Sequence, residues 1–228
     1  MLQLERQNDI LRLLDERREL TVKELCAALF CSPATARRDL AEMERQGLLK
    51  RSFGGAVRIE RYVDQRPLYI RSSEHVEEKK RLALLAARRV EAGQTIFVDA
   101  STTTYFMAEQ LAAVPDLTVI TNNPYLCIAL SELRTRCFCT GGEMLLSSVA
   151  LVGNDAIRYV QGLRADAAFI SCLGYDGEFA YDSSKGERDV KIAMLQNAKQ
   201  AYLVADSSKS GAVFPYRICR MGDVTKIE

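Results

Sequence analysis

Apolar positions along this chain follow two rhythms, and the change between them divides the molecule. From Leu2 to about Ala56 the rhythm is helical: Ile10, Leu13 and Leu14 recur at the spacing of one helix face, and Leu20, Val22, Leu25 and Leu29 continue the apolar set. Thr21 and Glu24 form a capping box, in which the threonine hydroxyl takes the amide of the third helical residue and the glutamate returns the bond. A short helix is therefore predicted from Val22 to about residue 30. Ser32 then offers a cap hydroxyl, and Pro33 suits the first helical position, where a missing N–H costs nothing, so a further helix is predicted to run to Gly47. Two helices across a short break make a helix-turn-helix over about residues 20–39. Residues 48–51 and 56–59 read as strands with Gly54-Gly55 as the turn, which extends the unit to a winged helix-turn-helix domain over residues 3–58.

Residues 59–80 turn polar and read as a linker, with Arg66-Pro67 inside it and a short helix start near Ser73. The run Glu77, Glu78, Lys79, Lys80, Arg81 reads as a solvated helix end. From Leu82 onward the rhythm alternates. Strands are predicted at 95–98, 117–120, 137–139, 167–171 and 201–205. Helices are predicted at 82–90, 105–113, 124–130 with Asn123 as cap, 156–163 and 187–199. Such alternation predicts a mostly parallel α/β domain over residues 81–228, with ligands bound beyond the carboxyl ends of its strands.

Composition narrows the function classes. In 228 residues, 48% hydrophobic and 27% charged, there is enough apolar material for a sizeable core, which excludes disordered, collagenous and coiled-coil chains. The apolar runs fall far short of the ~20 residues that span a bilayer, and the polar N-terminus is unlike a secretory leader, so a cytoplasmic protein without a membrane partner is expected. Seven irregularly spaced cysteines suit reduced, mostly buried thiols. His75 is the sole histidine, which excludes a His-based triad or multi-His metal site, and Cys137 with Cys139 lacks a second ligand pair. No metal and no cofactor are expected. With 31 Lys+Arg against 30 Asp+Glu the net charge is +1, which rules out a globally basic surface and leaves room for a local one.

Two sets of residues carry candidate chemistry. On the helix from Pro33, Ala36, Leu40 and Met43 define a buried side, Ala34, Arg38 and Arg45 point away from it, and Thr35 and Arg37 flank. Ser32, Ala34, Thr35, Arg37 and Arg38 are suited to the DNA major groove, where arginine pairs bidentately with guanine and small apolar groups meet the thymine methyl. Read alone, the helix is equally compatible with a solvated charged face; Lys50, Arg51 and Arg58 on the wing shift the balance towards phosphate contact. The second set lies at five strand ends: residues 99–104, 121–123, 140–142, 174–177 and 206–209. Hydroxyls and small residues there supply the donors that hold a phosphate without a metal, although serine and threonine also serve as ordinary caps.

The run SPATARRDL from Ser32, followed by Glu44, Gly47, Leu48 and RSFGGAV from Arg51, resembles the DNA-binding region of the DeoR family of bacterial transcription regulators. That family's pattern is Ser-x-x-Thr-x-Arg-Arg-Asp-Leu, then an Arg-x-His-Gly-Gly-Ala wing; here Phe53 stands where histidine is usual and Ala36 where isoleucine is usual. The blocks FVDASTTT, TVITNN, TGGE, AAFISCLGYDGE, Glu187 to Lys191 and VADSSK resemble the family's sensor domain, whose fold is similar to ribose-phosphate isomerase. The resemblance implies that Thr102 and Thr103 cradle a phosphate and that Asn122, Gly141, Gly142 and Gly174 line a pocket. It also implies that Asp99, Asp176, Glu187, Lys191 and Lys209 face a sugar or its phosphate. Ser101 replaces a family glycine, so either a strained backbone or a rearranged loop is expected there.

The reading that follows is a repressor that binds a double-stranded DNA operator as a dimer or tetramer and is controlled by a phosphorylated sugar or related metabolite. The alternative is a sugar-phosphate isomerase-type enzyme with Asp99, Asp176, Glu187 and Lys191 as acid–base groups. The first 58 residues, which such an enzyme does not need, speak against it. The chain ends at Val224–Glu228, inside an expected strand, where the family normally continues.

Overall fold

In the first unit the apolar side of α1 (Gln3–Arg17) buries Ile10, Leu11 and Leu14, while Leu13 is only half-buried. A short strand β1 (Glu19–Thr21) follows, in which Leu20 points inward; its single inward apolar residue is too weak a pattern to read in advance. Helix α2 (Val22–Leu29) starts on the expected capping box, with Glu24 N bonded to Thr21 Oγ1 and Thr21 N to the Glu24 carboxylate. Phe30 ends it in the left-handed region at φ 50°. Helix α3 (Pro33–Arg45) buries Ala36, Asp39, Leu40 and Met43. The wing is β2 (Leu49–Ser52) and β3 (Gly55–Arg58), and β3 lies between β1 and β2 in an antiparallel sheet. The tight turn is Phe53–Gly54, one residue earlier than expected, because Gly55 already pairs with Ser52 and Thr21. A Cβ on Gly55 would stand 2.1 Å from the Leu20 carbonyl oxygen, so only glycine lets β3 lie this close to β1.

This computed structural model describes residues 3–45, 48–58 and 68–228, and the chain divides into two units, Met1–Arg61 and Tyr62–Glu228. Gly47 as helix stop, Ile59 as strand end and Arg66-Pro67 lie outside the described residues.

The stretch expected to be linker up to residue 80 holds two helices, α4 (Leu68–Ser73) and α5 (Val76–Ala87). The reason is that α5 is amphipathic from its first turn. Glu77 pairs with Lys80 and Glu78 with Arg81 on the outside, while Lys79, Leu82, Ala83 and Ala86 turn inward. The sheet then builds from β4 (Thr95–Val98), α6 (Thr102–Tyr105), α7 (Ala108–Ala112), β5 (Thr118–Thr121), α8 (Pro124–Glu132) and β6 (Arg136–Cys139). The single helix expected at 105–113 is thus two short ones, the first capped by Ser101. A hairpin of β7 (Glu143–Leu145) and β8 (Ala150–Val152) leads to α9 (Asn154–Gln161) and β9 (Ala165–Ile170). The rest comprises β10 (Gly174–Tyr175), β11 (Phe179–Asp182), α10 (Lys185–Gln196), β12 (Ala198–Val204), β13 (Tyr216–Arg220) and β14 (Thr225–Ile227).

Six strands form one parallel sheet in the order β14-β12-β9-β4-β5-β6. Period-two alternation sends Ile96 and Val98 to the side covered by α5, α7 and α8, and Phe97 to the side covered by α9 and α10. Helices on both faces bury the central strands β4, β5 and β9 almost completely, as a parallel sheet requires, while the edge strand β6 stays partly exposed. A small antiparallel sheet, β10-β11-β13, adds a third cluster around Tyr175, Ala180 and Ile218. Of the cysteines, only Cys172 is buried and the other six are half-buried, so the expectation of mostly buried thiols is too strong; all seven are free. Burial pushes the Cys139 and Cys172 thiols up to about 11, away from thiolate reactivity. Among the described residues, no helix is long and apolar enough to cross a membrane.

Candidate functional site

In the first unit, α3 sorts neighbouring charges to opposite sides. Arg37 and Arg38 are exposed, and their guanidinium groups make no hydrogen bond or ion pair with any described residue. Asp39, next in sequence, is buried and accepts Arg6 Nε at 2.5 Å and Arg6 Nη2 at 3.3 Å, which locks α3 to α1. Ala34 is exposed beside the arginines. Ser32 and Thr35 are used locally: Ser32 Oγ accepts Thr35 N at 3.2 Å, and the two hydroxyls share a bond of 2.9 Å. They shape the helix start and leave the Thr35 methyl, more than a free hydroxyl, for contact. Lys50 and Arg51 are exposed on β2, and Arg51 N donates to Glu44 Oε1 at 2.8 Å, which clips the wing to α3.

In the second unit, one carboxylate organises the strand ends. Asp99 follows β4 and is fully buried; its Oδ1 accepts Thr104 Oγ1 at 2.8 Å and Ser101 N at 3.3 Å, and its Oδ2 accepts Ser171 N at 3.0 Å. Both oxygens are taken by protein donors, so Asp99 holds the loops after β4 and β9 together instead of facing solvent. Ser101 sits at φ −93° and caps α6 through Thr104 N at 3.0 Å, so of the two expectations at this departure from the family pattern, a strained backbone or a rearranged loop, the strain is absent. Thr102 and Thr103 are buried in the same turn, and Thr103 Oγ1 has no hydrogen-bond partner. Buried hydroxyls without partners are uncommon and call for an explanation.

Behind Asp99 lies a buried acid cluster. Lys191 Nζ stands 2.6 Å from Asp182 Oδ2, 3.5 Å from Asp99 Oδ2 and 3.9 Å from Glu187 Oε2. Burial alone would push the Lys191 ammonium down, but the three carboxylates outweigh it and hold Lys191 above its ordinary value. Glu187 is driven the other way: burial raises its carboxyl, and Lys191 offsets only part of that. Ser148, in the turn of the β7–β8 hairpin, is buried against Glu187. Asn122 ties the hairpin to β5, with Nδ2 donating to the Leu151 carbonyl at 3.0 Å while Oδ1 is left without a partner.

Linked to this acid cluster through Ser171 is a cationic corner that the sequence pattern hides. Lys79 is buried on α5 and its ammonium donates to the backbone carbonyl of Arg71. Burial, with Lys209 and Arg71 close by, brings its ammonium down to about 8, even though Glu74 and Asp206 act against the shift. Lys209 reaches Ser171 Oγ at 2.9 Å and Asp206 at 4.0 Å, which joins this corner to the Asp99 network. One signal could have found Lys79: the pairs Glu77–Lys80 and Glu78–Arg81 leave it over, three and four residues before Leu82 and Ala83 on the apolar face.

Asp99, Ser101, Thr102, Thr103, Glu187, Lys191 and Lys209 therefore come together. Gly141 and Gly142 take φ +69° and +106°, and a Cβ on Gly142 would stand 2.5 Å from the Val152 carbonyl oxygen, so they shape the approach to the hairpin. Gly174 and Asp176 belong to the small sheet. A Cβ on Gly174 would meet the Ala212 carbonyl oxygen at 2.1 Å. Asp176 is consumed by its own turn: it accepts Glu178 N, Phe179 N and the Tyr181 hydroxyl, and these bonds, led by Tyr181, lower its carboxyl. Both are engaged in local architecture.

Residues 6–62 match the family model described as DeoR-like helix-turn-helix domain, and residues 74–227 match DeoR C terminal sensor domain. The chain is 35% identical over its whole length to the uncharacterized HTH-type transcriptional regulator YulB of Bacillus subtilis (strain 168), covering 88% of that protein. It is 29% identical, again over its whole length, to the glycerol-3-phosphate regulon repressor of Escherichia coli (strain K12), covering 90% of it. Among solved structures, a ribose 5-phosphate isomerase from Methanocaldococcus jannaschii is similar over 60% of this chain and 55% of its own, at 14% identity and a TM-score of 0.45. A DNA-binding unit followed by a sensor unit, each matched in that order, makes the chain a member of the DeoR family: a DNA-binding transcriptional regulator and not an enzyme.

Proposed function

We propose that the protein is a repressor whose operator binding is controlled by a phosphorylated sugar or a closely related phosphorylated metabolite. The observation that carries the effector reading is Lys79: a buried ammonium bonded to a neutral carbonyl, with Lys209 and Arg71 beside it. A phosphate placed there adds negative charge to that of Glu74 and Asp206, which does not offset the burial of Lys79, with Thr102 and Thr103 as hydroxyl donors and Asn122, Glu187 and Lys191 towards the sugar hydroxyls. Gly141 and Gly142 shape the rim, with Gly174 and Asp176 behind it. The name of the glycerol-3-phosphate regulon repressor points to the same ligand chemistry.

On the DNA side, Arg37 and Arg38 read base edges in the major groove, with Ala34 and Thr35 against thymine methyls, Ser32 at the phosphate end of the helix, and Lys50 and Arg51 on flanking phosphates. A homodimer reads paired half-sites about one helical turn apart, and the protein works in the cytoplasm, where its DNA and its effector meet. The effector acts by favouring one of two conformations or oligomers, since equal affinity for both shifts nothing. Capture of genomic DNA by purified protein, followed by thermal-shift titration with glycerol 3-phosphate and pentose and hexose phosphates, tests both halves. Enrichment of sites upstream of genes, released by one of these compounds, is expected. No enrichment overturns the DNA assignment; no stabilisation by any phosphorylated compound overturns the effector assignment.

A further inference from the structure

The wing tip carries an aromatic side chain that the fold does not use. Ser52 pairs directly with Gly55, so Phe53 and Gly54 are the whole loop, and Gly54 takes φ +85°, a conformation that glycine adopts without strain. Phe53 is 110% exposed and makes no ring contact with any described residue. It is held out on a stiff support. β3 is paired on both sides, the Gly54 carbonyl accepts Val22 N at 2.8 Å at the start of α2, and Gly55 packs directly on the Leu20 backbone. Lys50, Arg51 and Arg58 give residues 48–58 three positive charges and no negative one.

A narrow, rigid, cationic hairpin with an apolar tip has the physical properties of a minor-groove wedge. Cations favour the strong negative potential of that groove, and an inserted apolar side chain partly unstacks a base step and bends the duplex. A single exposed apolar side chain needs no explanation by itself, and Phe30 is exposed too; what sets Phe53 apart is its place at the tip of a clamped two-residue loop whose strands carry Lys50, Arg51 and Arg58. We infer that Phe53 inserts into the minor groove beside the base pairs read by α3 and kinks the DNA there. The inference rests on the DNA-binding assignment and adds a contact on which that assignment does not depend. Flexible pyrimidine–purine steps are the cheapest to open, so Phe53 selects for such a step at a fixed distance from the helix contacts.

The test uses the full-length protein and duplexes carrying a captured genomic site, with 2-aminopurine placed at successive flanking steps and a dye pair at the ends. The wild-type protein is expected to brighten 2-aminopurine at one step and to bend the duplex by about 20–90°. Phe53→Ala should lose the brightening and most of the bend, and bind about tenfold more weakly with its salt dependence unchanged. Phe53→Leu, which keeps an apolar wedge, should retain much of the bend. Arg51→Ala should instead flatten the salt slope by about 1 and leave the unstacking in place. Because Phe53 is fully exposed, the alanine variant should melt with the wild type. Equal affinity and equal bend for Phe53→Ala, or no unstacking by the wild type, would overturn the wedge and leave the major-groove reading intact. Capture that enriches no site would overturn both.

Discussion

Arg37 and Arg38 on α3 stand open to solvent, whereas Lys191 is sealed among Asp182, Asp99 and Glu187 in the second unit. The two arrangements answer different demands. A surface that meets a long polyanion profits from exposed, adaptable cations whose desolvation happens only on binding, while a site for a small polar molecule needs its dipoles fixed beforehand. The cost of error is also different. Removing an exposed charge changes what the unit binds, but removing a buried one leaves its partners unpaired in a medium that cannot solvate them.

That contrast is most easily broken at Lys191. Lys191→Met should cost about 3–5 kcal/mol of stability, since three buried carboxylates lose their shared cation. The loss should shrink as pH is lowered, because burial already raises the Glu187 carboxyl and removing the Lys191 ammonium takes away what offsets that shift, so Glu187 takes up a proton more readily in the variant; thermal melts at a series of pH values read it out. Uniform destabilisation at all pH values would mean lost packing and not lost charge. Arg38→Ala should leave the melting temperature alone and weaken operator binding by about 1–3 kcal/mol, measured by quantitative footprinting. A shifted melting temperature would mean that Arg38 belongs to the fold.

Lys79 sits between these extremes: it is buried, and the pull of Glu74 and Asp206 does not make up for its burial. With its ammonium near 8, the folded protein holds this proton less tightly than an unfolded chain would, and a bound anion should restore it. Phosphate monoesters are already dianions above pH 7, so their affinity should fall by up to about tenfold per pH unit above 8. Calorimetry at pH 8.5 in buffers of different ionisation enthalpy should show proton uptake, and identical heats in all buffers would detach Lys79 from the ligand. The smallest effect is at Ser32. Ser32→Ala should cost about 0.5–2 kcal/mol, confined to the first unit, through loss of the α3 cap.

The caps and the strands were legible because their signals are local. Thr21 with Glu24, Ser32 before Pro33, and Asn123 before Pro124 each announce a helix start within four residues, and the run 95–98 is a strand in the chain as in the pattern. What stayed hidden depends on distant partners. β1 and β10 are too short to show a period, and exist because β3 and β11 lie beside them. The strand-end chemistry could be named from its residue types, yet the assignment of Asp99 as organiser needs Ser171, 72 residues away, and Lys209 reaches that same serine across 38. Lys79 was lost in a run of charges because only packing reveals which member of such a run turns inward.

The alternation along α3 bears on how such a regulator changes its target over generations. Ala36, Asp39 and Leu40 face inward and bind α3 to the rest of its unit, while Ala34, Arg37 and Arg38 are exposed and the two arginines make no hydrogen bond or ion pair with a described residue. Replacements at the second set are nearly free of folding penalties, so a duplicated copy can drift to a new operator through single substitutions while remaining fully folded at each step. No comparable path exists in the sensor unit, where Lys191 and its three acids must change together or not at all.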